Sequence, residues 1–419
     1  MRRVVKVSRI RIIITIIVVV LTTLLTGCTG KEPNEIAYVV ALGIDSTDDD
    51  NYKITIQYAN TTQISGGASE SGGKAGSEIV DNVTIEAPNI YAGVGLANNI
   101  VSKSFSMSHA KLIVFSKEVA EKGVKDMIET LVRSEEIRPD VFIAVANTTA
   151  NDYLTSVNPE MEVNPAQYYQ LIYQKNQLVG IPDGQLREFF TGLYTDNYDS
   201  ILPVAGVIEG SGGNSQNDDK GQSKDSQNEG SEGSSESLDS FESKNSDENE
   251  KEKDAEKNTS KYEYDIKNYV GGETAIEKKN KAEAIGAAVF EKDKMVGELG
   301  EVETEICKML KGDYTYSYLT YYNNDTPDIP ITVKTTQQKK PKYKIDTDKK
   351  TVDIELYIES DLYSLPADYN VENKIEDFER DVANYTSSTC TEFINNFTKK
   401  YNSDILKLNE KVKYKFLTN

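Results

Sequence analysis

Ile36-Ala-Tyr-Val-Val-Ala-Leu-Gly-Ile44, an Asp-rich turn from Asp45 to Asn51, and Tyr52-Lys-Ile-Thr-Ile-Gln-Tyr58 together decide the fold class. The first is a short apolar run of the buried-strand kind. In the last, Tyr52, Ile54, Ile56 and Tyr58 alternate with Lys53, Thr55 and Gln57, the period of a half-buried strand. The two predict neighbouring antiparallel strands. Working outward, Gly66 to Gly76 reads as a Ser/Gly loop, and Pro88-Asn89 introduces a helix through about Lys103. Lys111-Leu-Ile-Val-Phe-Ser116 predicts a strand, and residues 117–133 a helix bent near Gly123. Val141 to Ala146 predicts another strand, and residues 151–203 read as helical and irregular, with several tyrosines. Strands and helices mixed in this order predict an α+β fold.

Further on, the composition collapses. Residues 209–261 are Ser, Gly, Asn, Asp, Glu and Lys almost throughout, with Leu238 and Phe241 nearly the only large apolar side chains. No core can form from such a segment, which reads as a disordered linker or a long loop inserted in a domain. Strand patterns resume with Ala284 to Phe290 and Met295 to Leu299, then short strands at Ile331–Val333 and Tyr343–Ile345, and an alternating one at Thr351–Ile358. Val371, Ile375, Phe378, Val382, Tyr385, Phe393 and Phe397 form an apolar stripe at helical spacing, expected to pack on its own sheet. The organisation expected is a signal at 1–27, an α+β region at 28–208 with a break near 150, a linker at 209–262, and a domain at 263–419. That last domain is expected to be an antiparallel sheet covered by one long helix. The whole is a multi-domain α+β chain with mixed and antiparallel sheets.

The chain has 419 residues and a formal net charge of -21. Phosphate would repel it, so nucleic acid is not an expected partner. Arg2, Arg3, Lys6, Arg9 and Arg11 precede an apolar run from Ile12 to Leu25 that ends in Leu25-Thr-Gly-Cys28. The run is shorter than the roughly 20 residues that span a bilayer. The pattern reads as a secretory signal ending in a lipobox, with cleavage before Cys28 and a thioether lipid on its sulfur. The bland alternative is an uncleaved anchor with an incidental cysteine. Cys307 and Cys390 are the only other cysteines. They could pair outside the cell, but nothing local suggests it, and free buried thiols are expected.

Four stretches in order carry a resemblance. They are Glu35 to Asp45 with Tyr52 to Gln57; Ser108 to Gly123, continuing to Arg133 and Ile137-Arg-Pro-Asp140; Gly286 to Phe290 with Lys292-Asp-Lys294 and Val296-Gly297; and a closing helix ending Tyr401-Asn-Ser-Asp-Ile-Leu406. After a lipobox, this set resembles the Ger(x)C lipoproteins, the C subunits of spore germinant receptors. The family's Cys-Trp-Asp start is replaced here by Cys28-Thr-Gly, and the chain has no Trp. The resemblance implies a lipid-anchored subunit on the outer face of the spore inner membrane, beside A and B membrane subunits, acting in nutrient-triggered germination without catalysis. Whether such a subunit touches nutrient itself is left open, and the acidic segment is longer than the family pattern suggests.

The residues suggest no catalytic, cofactor or metal site. His109 is the sole histidine and reads as a strand-entry residue, hydrogen-bonded or exposed. Gly93-Val-Gly95 reads as close helix packing rather than a phosphate loop, and Asp48-Asp-Asp50 as a solvated turn. Paired carboxylates for glycoside hydrolysis stay open at this stage. The alternatives carried are a solute-binding lipoprotein of a transporter and a secreted hydrolase acting on cell wall.

Overall fold

The computed structural model describes residues 11–19, 32–59, 80–158, 162, 164–174, 180–196, 198–208, 268–274, 280–322, 330–365 and 374–418. Cys28, the Ser/Gly loop at 66–76 and the acidic segment at 209–262 lie outside them. Residues 11–19 are helical. Among the described residues no helix is long and apolar enough to cross a membrane.

A nine-stranded mixed sheet dominates. At its centre β1 (Ile36–Ser46), β5 (Leu112–Ser116), β6 (Phe142–Ala146) and β7 (Ile201–Val207) run parallel. On one side β1 pairs antiparallel with β2 (Tyr52–Ala59), and β2 with β3 (Val80–Ala87). Short β4 (Ser104–Ser106) runs parallel to the start of β1, with Ile36 opposite Ser104. On the other side β8 (Ala282–Glu291) and β9 (Lys294–Leu299) extend the sheet antiparallel from β7.

Both faces of the sheet are covered, which explains why its central strands read as unbroken apolar runs. In β5, Ile113 and Phe115 face one core while Leu112 and Val114 face the other. The first core is closed by α1 (Ile90–Ala97), α2 (Lys117–Lys122), α3 (Lys125–Val132) and α6 (Leu186–Tyr194). The second is closed by α4 (Ala150–Ser156) and α5 (Pro165–Gln174). The tyrosines of residues 151–203 serve this second core. Tyr169 donates to Gln57 Oε1 at 2.5 Å, the Tyr153 and Tyr173 hydroxyls meet at 2.9 Å, and Asn280 donates to the Tyr168 hydroxyl at 3.0 Å. Buried phenols thus find partners rather than stranding their hydroxyls.

Several expectations need correction. The sheet continues without interruption past residue 150, since α4 follows β6 directly and β7 returns to pair with β6. It also runs past the boundary expected at 262: β8 and β9 complete a sheet begun by β1. The physical reason is that β7 is buried along nearly its whole length, and an uncovered edge there would leave apolar side chains and backbone groups in water. The helix expected through Lys103 stops at Ala97, because the Asn98 side chain leaves the helix to accept the Phe105 N–H at 2.8 Å. Gly93 does pack closely, since a Cβ there would lie 2.6 Å from Ile54 Cδ1, whereas Gly95 faces open space.

The second sheet has three antiparallel strands, β10 (Tyr316–Tyr321), β11 (Ile331–Asp346) and β12 (Thr351–Ser364). The two short strands expected at Ile331 and Tyr343 are one strand of 16 residues, with register shifts either side of Lys339 absorbing the Lys-Lys-Pro stretch. Helix α7 (Glu301–Lys311) links the two sheets. Gly300 offers no side chain as its cap, so Asn268 Oδ1 accepts the Val302 N–H at 3.0 Å instead. The long helix α8 (Ile375–Lys400) packs on its own sheet through Phe378, Val382 and Tyr385, which meet Tyr321, Ile331 and Val333. Its second half, with Cys390, Phe393 and Phe397, packs against α7 and the rim of the large sheet. It ends at Lys400, and a further helix α9 (Leu408–Thr418) follows where one closing helix was expected.

Candidate functional site

Three of the four stretches singled out in the sequence, the second, third and fourth, are brought together around the β8–β9 hairpin. Lys292 at its tip has φ 57°, and its N–H donates to Asp199 Oδ1 at 2.9 Å. The other oxygen of buried Asp199 accepts the Asp404 N–H at 2.8 Å. Asp404 in turn caps α9, accepting the N–H groups of Leu408 and Asn409, both at 2.8 Å. Ser403 donates to the Phe290 carbonyl at 2.8 Å, and Asn402 to Glu291 at 2.8 Å. Tyr401 packs against Gly297, where a Cβ would sit 2.1 Å from its ring, and donates to the Glu298 carbonyl at 3.2 Å. The third and fourth stretches are therefore one structural unit.

The second stretch joins the same place. Val124 N–H donates to the Asp293 carbonyl at 3.0 Å, and Lys117 pairs with Glu298 at 3.1 Å. Gly123 has φ 121°, a conformation that side chains beyond glycine rarely adopt, and it faces the Asp293 carboxylate. A cleft of about 490 Å3 opens here, with Lys117, Glu121, Glu298, Glu303, Lys400 and Tyr401 on its walls. Both signs of charge line it. That arrangement suits a polar partner surface with paired charges.

The first stretch stands apart and holds the second core. Asp45 Oδ1 and Oδ2 accept the Ala150 and Asn151 N–H groups at 2.6 and 3.1 Å, at the start of α4. Burial pushes the Asp45 carboxyl up, while those two donors hold it down. Gly43 lets α4 approach, since a Cβ there would be 3.1 Å from the Ala150 Cβ.

A second, larger cleft of about 1260 Å3 lies between α8 and β12. Ile354, Leu356 and Ile358 form its sheet side, and Phe378, Val382 and Ile394 its helix side. Asp353, Glu359, Glu379 and Asn395 line it as well, so its walls are apolar and polar in similar measure.

The remaining sequence candidates find structural surroundings. His109 is exposed, hydrogen-bonded to the Ser108 hydroxyl at 3.0 Å and edge-on to Tyr38 at 4.7 Å. Cys307 and Cys390 are free and buried in one core, and burial pushes their thiols up to about 11 and about 12. Neither is a thiolate at neutral pH. Asp48, Asp49 and Asp50 are exposed in a turn. Among the described residues no three His, Cys, Asp or Glu side chains are grouped to hold a metal.

One carboxyl escaped sequence reading. Glu305 on α7 accepts the Ser317 hydroxyl at 2.8 Å, and burial pushes it up to about 7. Ser317 and Lys308 pull it down, and Glu301 pushes it further up. Such a shift can mark a catalytic acid. Glu305, however, lines neither cleft and faces the junction between α7 and β10.

Comparison with known proteins places these features in a family. The description "Spore germination protein N-terminal domain" matches residues 30–207, and "Spore germination B3/ GerAC like, C-terminal" matches residues 285–418. The chain is similar to spore germination protein KC of Bacillus subtilis (strain 168), 26% identical over 174 residues, covering 38% of this chain and 42% of that protein. It is also similar to the putative spore germination protein YfkR of the same strain, 28% identical over 145 residues, covering 34% and 37%. The chain thus matches about two fifths of the length of these relatives. The crystal structure of the GerBC protein aligns over 89% of this chain and 87% of that one, with a TM-score of 0.45 and 14% identity.

Proposed function

Because this chain belongs to the Ger(x)C family of spore germination proteins, we propose that it is the lipid-anchored C subunit of a nutrient-germinant receptor. In this reading Cys28 carries the lipid, the folded part lies on the outer face of the spore inner membrane, and the protein works by contact with A and B membrane subunits. The observation that carries the reading is the pair of family matches, in order along a chain whose first residues end in Leu25-Thr-Gly-Cys28. The mixed-charge cleft beside the β8–β9 hairpin supports protein contact, since salt-bridged rims give specificity at interfaces. The larger cleft along α8 supports it too, as a groove of mixed apolar and polar walls able to receive side chains of another chain.

Anchoring is tested by Cys28→Ala. The variant is expected to leave the membrane fraction or be lost, and to reduce nutrient-triggered germination to the level of a strain lacking the gene. Full membrane retention with normal germination contradicts a lipid on Cys28.

A further inference from the structure

Helix α1 is apolar on the side it should show to water. Ile90, Gly93, Val94 and Ala97 face the core, yet Leu96 is 49% exposed and Ile100, one turn on, is 69% exposed. Hydrogen bonds from Asn99 N to Leu96 O and from Ile100 N to Ala97 O continue the turn, so the two side chains lie on one surface. Gly95 beside them has nothing within 4 Å of where its Cβ would be, so no other part of the described chain covers this face. A soluble helix normally shows polar residues there.

Two further observations say what covers it. First, the turn leads directly into β4, whose Ser104 pairs with Ile36 at the very start of β1. Ile36 is eight residues from Cys28, a reach of at most about 28 Å fully extended. The exposed apolar turn therefore sits at the end of the sheet from which the chain leads to the proposed lipid. Second, in a chain with 68 acidic residues, none occurs between Glu86 and Glu118, and the turn and the residues that follow it to β5 bring Lys103 and Lys111. Glu136, which approaches from elsewhere, turns inward to accept the Met107 N–H at 2.6 Å. Exposed Glu35 lies beside Ile36, but residues 87–117 themselves bring no carboxylate to anionic headgroups, unlike most stretches of so acidic a protein.

We propose that the turn carrying Leu96 and Ile100 rests in the headgroup region of an anionic phospholipid bilayer and sets the orientation of the protein on it. This rests on the reading of Cys28 as the lipid site. The lipid supplies retention; the turn supplies a second, weaker contact of the kind that steadies singly anchored proteins.

The test uses the full lipidated chain on vesicles of phosphatidylglycerol and phosphatidylethanolamine. Leu96→Cys, Ile100→Cys and Tyr363→Cys variants are labelled with an environment-sensitive fluorophore; Tyr363 is 58% exposed on the second sheet and serves as the distant control. Cys307 and Cys390 are buried and do not compete for label. Vesicle flotation reports the anchor, and quenching by a lipid carrying a quencher high on its acyl chain reports the contact. The expected result is flotation of all three, with quenching at 96 and 100 at least three-fold that at 363. Flotation with equal quenching at all positions overturns the contact and leaves the anchor standing. Loss of flotation overturns the anchor, and this proposal with it. Labels at 96 and 100 that are shielded only when other receptor subunits are added assign the surface to a protein partner and overturn the proposal.

Discussion

Phe290→Ala lowers the stability of the whole protein by about 3–5 kcal/mol, the cost of emptying a fully buried aromatic site. Phe290 is wholly buried, and its ring meets Phe189 edge-on at 4.9 Å. Phe189 lies on α6 and shares its core with Val119, Ile128 and strands β1 and β5. Phe290 is thus a residue from beyond the acidic segment that completes a core built from residues before it. The loss is read from denaturant unfolding with the slope held constant. It should move the unfolding of the first sheet as well as of the C-terminal part. A related outcome follows for the intact protein cut by a protease within residues 209–262. The two fragments should stay together, because β7 and β8 remain paired across the cut. Independent unfolding of the two halves would contradict the shared sheet.

Glu305→Gln should remove a pH dependence rather than add one. The folded pKa of Glu305, about 7, lies above its ordinary value of 4.5. Between those values the folded state holds a proton that the unfolded state has released. Its contribution to stability is therefore fully present below about 4.5 and is lost as pH rises through about 7. The size of the loss is on the order of 3 kcal/mol, set by the gap between the two pKa values. Glutamine keeps the shape and still offers a carbonyl to the Ser317 hydroxyl, but carries no charge to desolvate. At pH 8 the variant should be more stable than the parent by an amount approaching that figure, and at pH 4 the two should be nearly equal. Unfolding measured at both values checks this, and a difference independent of pH would contradict the buried acid.

Much of this fold was legible because its strongest signals are local. The run from Ile36 to Ile44, the strand from Tyr52 to Tyr58 and the stripe of α8 from Phe378 onward each form from neighbours in sequence and are present; Thr55 and Gln57, expected on an open face, are buried by α4 and α5, Ile375 is exposed, and Val371 lies outside the described residues. Strand β7 was missed because Pro203, a residue that argues against an inner strand, sits in its middle. There the register shifts between Pro203 and Ala205, which absorbs the missing donor. Helix α7 was legible in principle, since Val302, Ile306 and Leu310 are spaced by four, but a preceding Gly without a capping side chain hid its start. What no local pattern could reveal is that β8 completes the first sheet, because that depends on a partner 80 residues away. The site divides the same way. The lipid site proposed at Cys28 rests on Leu25-Thr-Gly-Cys28 alone, and it lies outside the described residues. The meeting of Gly297 with Tyr401, and of Asp199 with Lys292 and Asp404, is long-range and needed the structure.

The central claim is that this chain serves nutrient-triggered germination as part of a receptor. Its most direct test is deletion of the gene in the host, with spores scored against a panel of nutrients and then complemented with the intact chain. The expected result is viable spores that lose their response to one nutrient class and regain it on complementation. Unchanged germination with every nutrient, in a host with no second receptor of the family, would contradict it.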